Sequence, residues 1–201
     1  RNDGRAKKLW IPRGVVIPFI PDLQAGDVER IRIRRPKADM QSKMDRKYYA
    51  VPGSGMRPML LRPEAKAFIV IESELDGLAT AAAAPPEVGA LALGSVSTRP
   101  DELADASLKK ALRVLNALDA DKAGAGNRKW WEENYPNSKR WPVPDGKDPG
   151  DAAKAGIDLR AWIVAGLPPV MTVQSSSPAS ADDPPAPAAS DGPSCFDKKR
   201  G

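Results

Sequence analysis

The chain has 201 residues, 28% of them charged, a net charge of +5, one cysteine and no histidine. That composition excludes a disulfide framework, a Cys/His zinc site within this chain and a histidine base, so acid–base or metal chemistry falls to carboxylates, Lys or Tyr. No apolar run approaches the ~20 residues that span a bilayer and no signal peptide is visible, so no membrane segment is expected; the single cysteine suits a reducing, cytoplasmic compartment.

The charge is unevenly spread. Residues 1–66 carry 16 Lys/Arg against 7 Asp/Glu, whereas residues 67–201 carry 15 against 19. A basic first third beside an acidic remainder suits a polyanion-binding surface next to a cation-binding one. The sequence opens on Arg1 rather than Met and reads as a segment of something longer.

In chain order, residues 1–13 are polar. Residues 14–20 (GVVIPFI) read as a strand, with Pro18 at an edge or bulge. Residues 28–35 (VERIRIRR) alternate with period two, which predicts Ile31 and Ile33 toward a core and Arg30, Arg32 and Arg34 outward. Residues 47–51 (KYYAV) are another short strand. The texture then changes. Residues 67–71 (AFIVI) read as a buried strand, 75–84 as a helix stopped by Pro85-Pro86, 88–93 as a second strand ending at Gly94, and 100–110 as a helix. Residues 113–118 are a further strand, 122–135 a helix and 140–143 a short strand. A turn-rich loop at 144–149 is followed by two helical pieces at 151–155 and 159–165. Strands alternating with helices indicate an α/β fold with a mainly parallel sheet. Trp10, Trp141, Trp162 and at least one of Trp130 and Trp131 are expected in the core. The tail from Thr172, rich in Ser, Ala, Pro and Asp, is expected to be disordered.

In an open parallel sheet, ligands bind outside the carboxyl ends of the strands. Acidic residues fall at three such ends: Glu72, with Glu74 nearby; Asp119 and Asp121; and Asp145 and Asp148. Asp119-Ala-Asp121 follows an apolar run, and at a strand's period its two carboxylates project to one side. Like charges aimed together repel unless a cation sits between them, which suggests a metal site. All-oxygen clusters suit Mg²⁺ or Mn²⁺. Helix capping is the alternative for Asp76 and Asp101, and ordinary turn chemistry for Asp145 and Asp148.

Taken together, these stretches resemble the TOPRIM domain of bacterial and phage-type DNA primases. The matches are residues 68–76 (FIVIESELD), with Glu72 and Asp76; 91–95 (LALGS), with the turn at Gly94; 117–124 (ALDADKAG); and 144–149 (PDGKDP). The resemblance runs over roughly residues 67–168. Residues 15–19, 28–35 and 45–48 resemble the basic amino-terminal subdomain of the primase core, with Arg34 and Lys47 as the strand arginine and the Lys-Tyr lysine. The chain departs from the family in two places: the glycine-rich arginine pattern is Arg30-Ile-Arg-Ile-Arg34, and the usual Glu-Gly is Glu72-Ser73.

The resemblance implies a basic β-rich lobe over 1–62, a TOPRIM domain over 63–170 and a linker over 171–201. It implies synthesis of short RNA primers on a single-stranded DNA template from nucleoside triphosphates. Glu72, Asp119, Asp121, Asp145 and Asp148 would hold Mg²⁺ or Mn²⁺, with Glu72 either a ligand or a general base. Lys47 and Arg34 would offset triphosphate charge, and Arg30, Arg32, Arg35 and Lys37 would track template phosphates. Asp76 and Gly94 would shape the site from behind. A replicative helicase partner and a zinc-binding module upstream are also implied. Two other functions are compatible with the motifs: metal-dependent strand cleavage of the nuclease or topoisomerase type, and a non-catalytic nucleic-acid-binding module.

Overall fold

The structure is a computed structural model that describes residues 8–21, 24–42, 44–95, 97–118 and 124–172, with backbone alone at 124–128 and 172. It contains two sheets. The first is antiparallel, in the order β1 (Val15–Phe19), β2 (Arg30–Arg34), β3 (Tyr48–Ala50). The second is built from β4 (Met59–Leu61), β5 (Ala67–Ile71), β6 (Val88–Ala92), β7 (Arg113–Asn116) and β8 (Ser138–Arg140). Its order is β4-β6-β5-β7-β8, parallel except for β4, which pairs antiparallel with β6. β4 falls within the segment read as the first lobe yet belongs to the second sheet.

Helices cover both faces of that sheet: α1 (Glu74–Ala83), α2 (Glu102–Lys110), α3 (Gly124–Asn134), α4 (Pro149–Lys154), α5 (Leu159–Gly166) and α6 (Pro169–Thr172). Every residue of β5 is buried, as its unbroken apolar run requires. Ala67, Ile69 and Ile71 pack with Ala152, Leu159, Trp162 and Ile163 on one face. Phe68 and Val70 pack with Leu108, Trp131 and Tyr135 on the other. Trp131 and Trp162 thus lie in the core and Trp141 is packed against it. Trp10 does not: it is 64% exposed and meets the edge of Tyr49, whose hydroxyl donates to the Trp10 carbonyl.

β5 and β6 approach so closely that Gly89 has no room for a side chain. A Cβ there would lie 2.5 Å from Phe68 Cε1 and 2.6 Å from the Leu61 carbonyl oxygen. Gly89→Ala is expected to destabilise the protein by about 1–3 kcal/mol, read by urea unfolding, because the Leu61 backbone cannot yield as a side chain could.

The first sheet corrects the orientation expected for β2. Cross-strand pairing puts Ile17 opposite Arg32 and Phe19 opposite Arg30, so these residues share a face. Ile17 and Phe19 are buried against Met59 and Ala92 of the second sheet. The arginines therefore point inward. Arg30 is 4% exposed, and both Arg30 and Arg32 pair with Glu74, itself 1% exposed. Ile33, on the other face, is also buried. Alternation reports a period, and here both faces of the strand are covered. A buried carboxylate at the start of α1 makes burial of the guanidiniums tolerable.

Candidate active site at the carboxyl ends of the central strands

The chain leaves β5 toward β6 on one side and later returns to β7 on the other, so strand order switches at β5. A cavity of about 260 Å³ opens at that point, where helix crossovers leave a crevice. Lys47 and Tyr48 of the first sheet, Glu72, Ser73 and Asp76 after β5, Ala117 after β7 and Asp148 before α4 all line it. A second hollow of about 400 Å³ is larger, but it lies at the amino end of β5 against α2 and is lined by one acidic residue, Glu64. The smaller cavity is the one lined by several of the acidic residues singled out in the sequence.

Glu72 immediately follows β5. Its carbonyl accepts the Gly94 N–H at 2.7 Å, which ties the ends of β5 and β6 together. Gly94 has φ +79°, and a Cβ there would meet Arg32 Nη1 at 3.1 Å. Both the turn and the arginine's approach thus call for glycine. Ser73 caps α1, accepting the Asp76 N–H at 3.3 Å and donating to Asp76 Oδ2. Asp148 caps α4, its Oδ1 accepting the Asp151 N–H at 2.8 Å. Capping and cavity lining are compatible in this residue, since a carboxylate has a second oxygen.

Burial pushes the Asp76 carboxyl above the usual range; hydrogen bonds from Ser73 and the Gly150 N–H act against this, and the Asp148 charge adds to it. Asp76 therefore binds its proton more tightly in the folded chain than in the unfolded one. Stability falls as pH rises from the ordinary carboxylate value of 3.8 through the raised one. Asp148→Asn keeps a good helix cap but removes the like charge. With chelator present, it is expected to raise the denaturation midpoint at pH 7, with the advantage fading as pH falls through the raised Asp76 value, where the folded state takes up its proton.

Arg34 lies over the Tyr48 ring at 5.2 Å, and its Nη1 is buried with no hydrogen-bond partner among the described residues. Its charge acts on both Tyr48 and Asp76. Lys47 Nζ is 5.8 Å from the same ring. Arg35 donates to the Asp39 carbonyl at 2.9 Å, and Lys37 is exposed in a short 3-10 turn (Lys37–Asp39). Arg30 and Arg32 are committed to Glu74 and are not an outward phosphate-binding row. Asp145 is exposed, takes the Gly146 N–H at 2.8 Å and stands outside the cavity walls. Asp119 and Asp121 lie outside the described residues, as do Lys122 and the tail from residue 173. Sequence reasoning missed the buried role of Glu74 and the contacts of Tyr48 and Ser73. A serine three residues before Asp76 did carry a capping signal.

No family model and no curated protein matches the chain. Solved structures do, and they give the chain the fold of the RNA polymerase domain of bacterial DNA primases. The Aquifex aeolicus primase, comprising zinc-binding and RNA polymerase domains, is 23% identical at a TM-score of 0.52, covering 82% of this chain and 43% of that one. The RNA polymerase domain of Mycobacterium tuberculosis primase DnaG, in complex with a double-stranded DNA oligomer bearing a 6-nucleotide overhang, is 21% identical at 0.53, covering 74% and 51%. A DNA primase domain from Pseudomonas aeruginosa is 19% identical at 0.52, covering 79% and 53%. The chain thus spans about half the length of these structures. Among its described residues no helix is long and apolar enough to cross a membrane.

Proposed function

We propose that the chain is the catalytic core of a primase, a nucleotidyltransferase that joins ribonucleotides into short primers on a single-stranded DNA template. One observation carries this reading. Lys47, the Glu72–Asp76 junction and Asp148, three separate segments, line one crevice at the switch point of the sheet.

The acidic part of that crevice suits a divalent cation. Among the described residues no three acidic groups are gathered tightly enough to hold an ion by themselves. The sequence adds Asp119 and Asp121 three and five residues beyond the last residue of β7. The donors are all oxygen, and the Asp76–Asp148 repulsion is of the kind a cation relieves. Glu72, Asp119, Asp121 and Asp148 would hold Mg²⁺ or Mn²⁺. When bound, the ion offsets triphosphate charge and templates an in-line displacement.

The chain's own side chains do the rest. Lys47 and Arg34 supply positive charge from the first sheet against the phosphates, where phosphoryl transfer depends on positioning and electrostatics. Glu72 is a ligand or a general base. Arg35 and Lys37, on the outer part of the basic lobe, would meet template phosphates in a salt-sensitive contact. Asp145, on its exposed turn, remains a candidate for the edge of the site. A helicase partner and an upstream zinc-binding module belong to the same reading.

The test is synthesis of oligoribonucleotides on single-stranded DNA with Mg²⁺ or Mn²⁺, in the longest chain that carries this segment. Activity is expected, and Asp119→Ala and Asp121→Ala are expected to abolish it. Metal-dependent nicking without dinucleotide formation would overturn the assignment in favour of strand cleavage.

A further inference from the structure

We propose that Arg99, bedded on the ring of Trp130, is a stacking site for an unpaired base of a single-stranded DNA template. The inference rests on the primase reading for its ligand. It adds a base contact on the side of the second sheet to the phosphate contacts of the basic lobe.

Arg99 lies in the connection from β6 to α2. That connection leaves Gly94, whose N–H bonds the Glu72 carbonyl at 2.7 Å, so it starts beside the strand end that carries Glu72. It ends at Asp101, which caps α2 by accepting the Ala104 N–H at 2.9 Å. Between the two, the Thr98 N–H bonds the Ser95 carbonyl at 3.1 Å, and Pro100 restricts Arg99 to extended backbone. Arg99 is therefore exposed but anchored on both sides.

Its guanidinium carbon lies 4.1 Å from the centroid of the Trp130 ring. The other arginines over rings among the described residues, Arg30, Arg32, Arg34 and Arg57, stand 5.0 to 5.6 Å away. Arg30, Arg32 and Arg57 are also tied to carboxylates, whereas no carboxylate among the described residues pairs with Arg99. Trp130 is itself fixed. Its ring stands edge-on to Trp131 at 5.3 Å and to Tyr135 at 5.8 Å, and both of those are buried. A cation on the face of an immobile ring is held in place by the ring's electron density. The guanidinium then offers a planar, weakly hydrated surface for a base, with a positive charge that the strand's phosphates favour. Because the pair is ordered beforehand, little further ordering is needed on binding. The ligand is single-stranded because bases within a duplex already have both faces covered by their neighbours.

The experiment uses the longest chain that carries this segment. Its probes are a labelled oligothymidylate and an abasic oligonucleotide of equal length, with binding read by fluorescence anisotropy across a range of salt. The parent should bind the base-bearing strand at least about fivefold more tightly than the abasic one. Arg99→Lys keeps the charge but offers no plane. It should lose at least about fivefold on oligothymidylate, keep the parent's salt slope and scarcely change on the abasic strand. Arg99→Ala should bind more weakly still and flatten the salt slope by about 0.7, the share of one phosphate contact on a single strand. The side chain is exposed, so both variants should unfold in urea at nearly the parent's midpoint. Parent-like binding by Arg99→Lys, or equal losses on the two strands, would overturn the inference and leave the primase reading standing. A parent chain that binds neither strand would overturn both.

Discussion

Glu72→Gln is expected to lower metal-dependent primer synthesis by about 10²-fold or more, because a metal's stabilisation of transition-state charge amounts to several kcal/mol. The denaturation midpoint should scarcely move. Glu72 stands just past β5, where its carbonyl takes the Gly94 N–H at 2.7 Å. That bond survives the substitution, as does the N-cap made by Ser73. Glutamine matches glutamate in shape and loses the charge, so the variant isolates what the carboxylate does. Primer synthesis measured on single-stranded DNA, alongside urea unfolding, separates the outcomes. Parent-like synthesis would remove Glu72 from the mechanism. Comparable loss of both stability and synthesis would make its role structural. Lys47→Ala should act differently, raising the KM for nucleoside triphosphate while leaving Mn²⁺ binding intact, since it lines the cavity from the other sheet.

The elements legible in the sequence were those whose local pattern was decisive. AFIVI at 67–71 reads as a buried strand because nothing polar interrupts it, and all five residues are buried. The strand–acid order placed Glu72 and Asp148 at one end of the sheet, and the cavity has both in its walls, with Asp76 beside them. β4 was not legible: three residues, Met59–Leu61, are too few to show a period, and only pairing with β6 makes them a strand. The arginines of β2 were misjudged for a different reason. Sequence shows that Arg30 and Arg32 share a face, but not that Glu74, 44 and 42 positions away, waits on the same side. Glu74 itself looked like an ordinary acidic residue in a helix's first turn. Nor does sequence reveal that Ser73, besides capping, lines one cavity with Tyr48 from another sheet. Trp10 shows the opposite limit, since large aromatics usually bury and this one stays 64% exposed beside Tyr49.

The second large effect concerns that buried cluster. Glu74→Ala is expected to destabilise the chain by about 3–5 kcal/mol, because it strands a buried charge. Glu74 receives Arg32 Nη1 at 2.7 and 2.8 Å and lies 3.2 Å from Arg30 Nη2. Arg30 has further partners in the carbonyls of Gly55 and Arg57, so its guanidinium cannot swing out to water without breaking those as well. Burial already lowers its pKa, and Glu74 is the main influence opposing that. Replacing the whole cluster is a different experiment. Arg30→Met, Arg32→Leu and Glu74→Leu together leave no orphaned charge, and such swaps are often neutral or stabilising by about 1–4 kcal/mol. Stability and activity should then part company. Arg32 also packs over Gly94, whose N–H holds the Glu72 carbonyl, and lies against the Tyr48 ring. The triple variant should unfold no earlier than the parent in urea yet synthesise primers at least about tenfold more slowly, since a misplacement of about 1 Å can cost 10²-fold. If it keeps the parent's rate, the cluster only joins the two sheets. If it is slow while still binding Mn²⁺ normally, the buried charges hold the basic strand in register with the carboxylates, and the cost of burying them is the cost of that alignment.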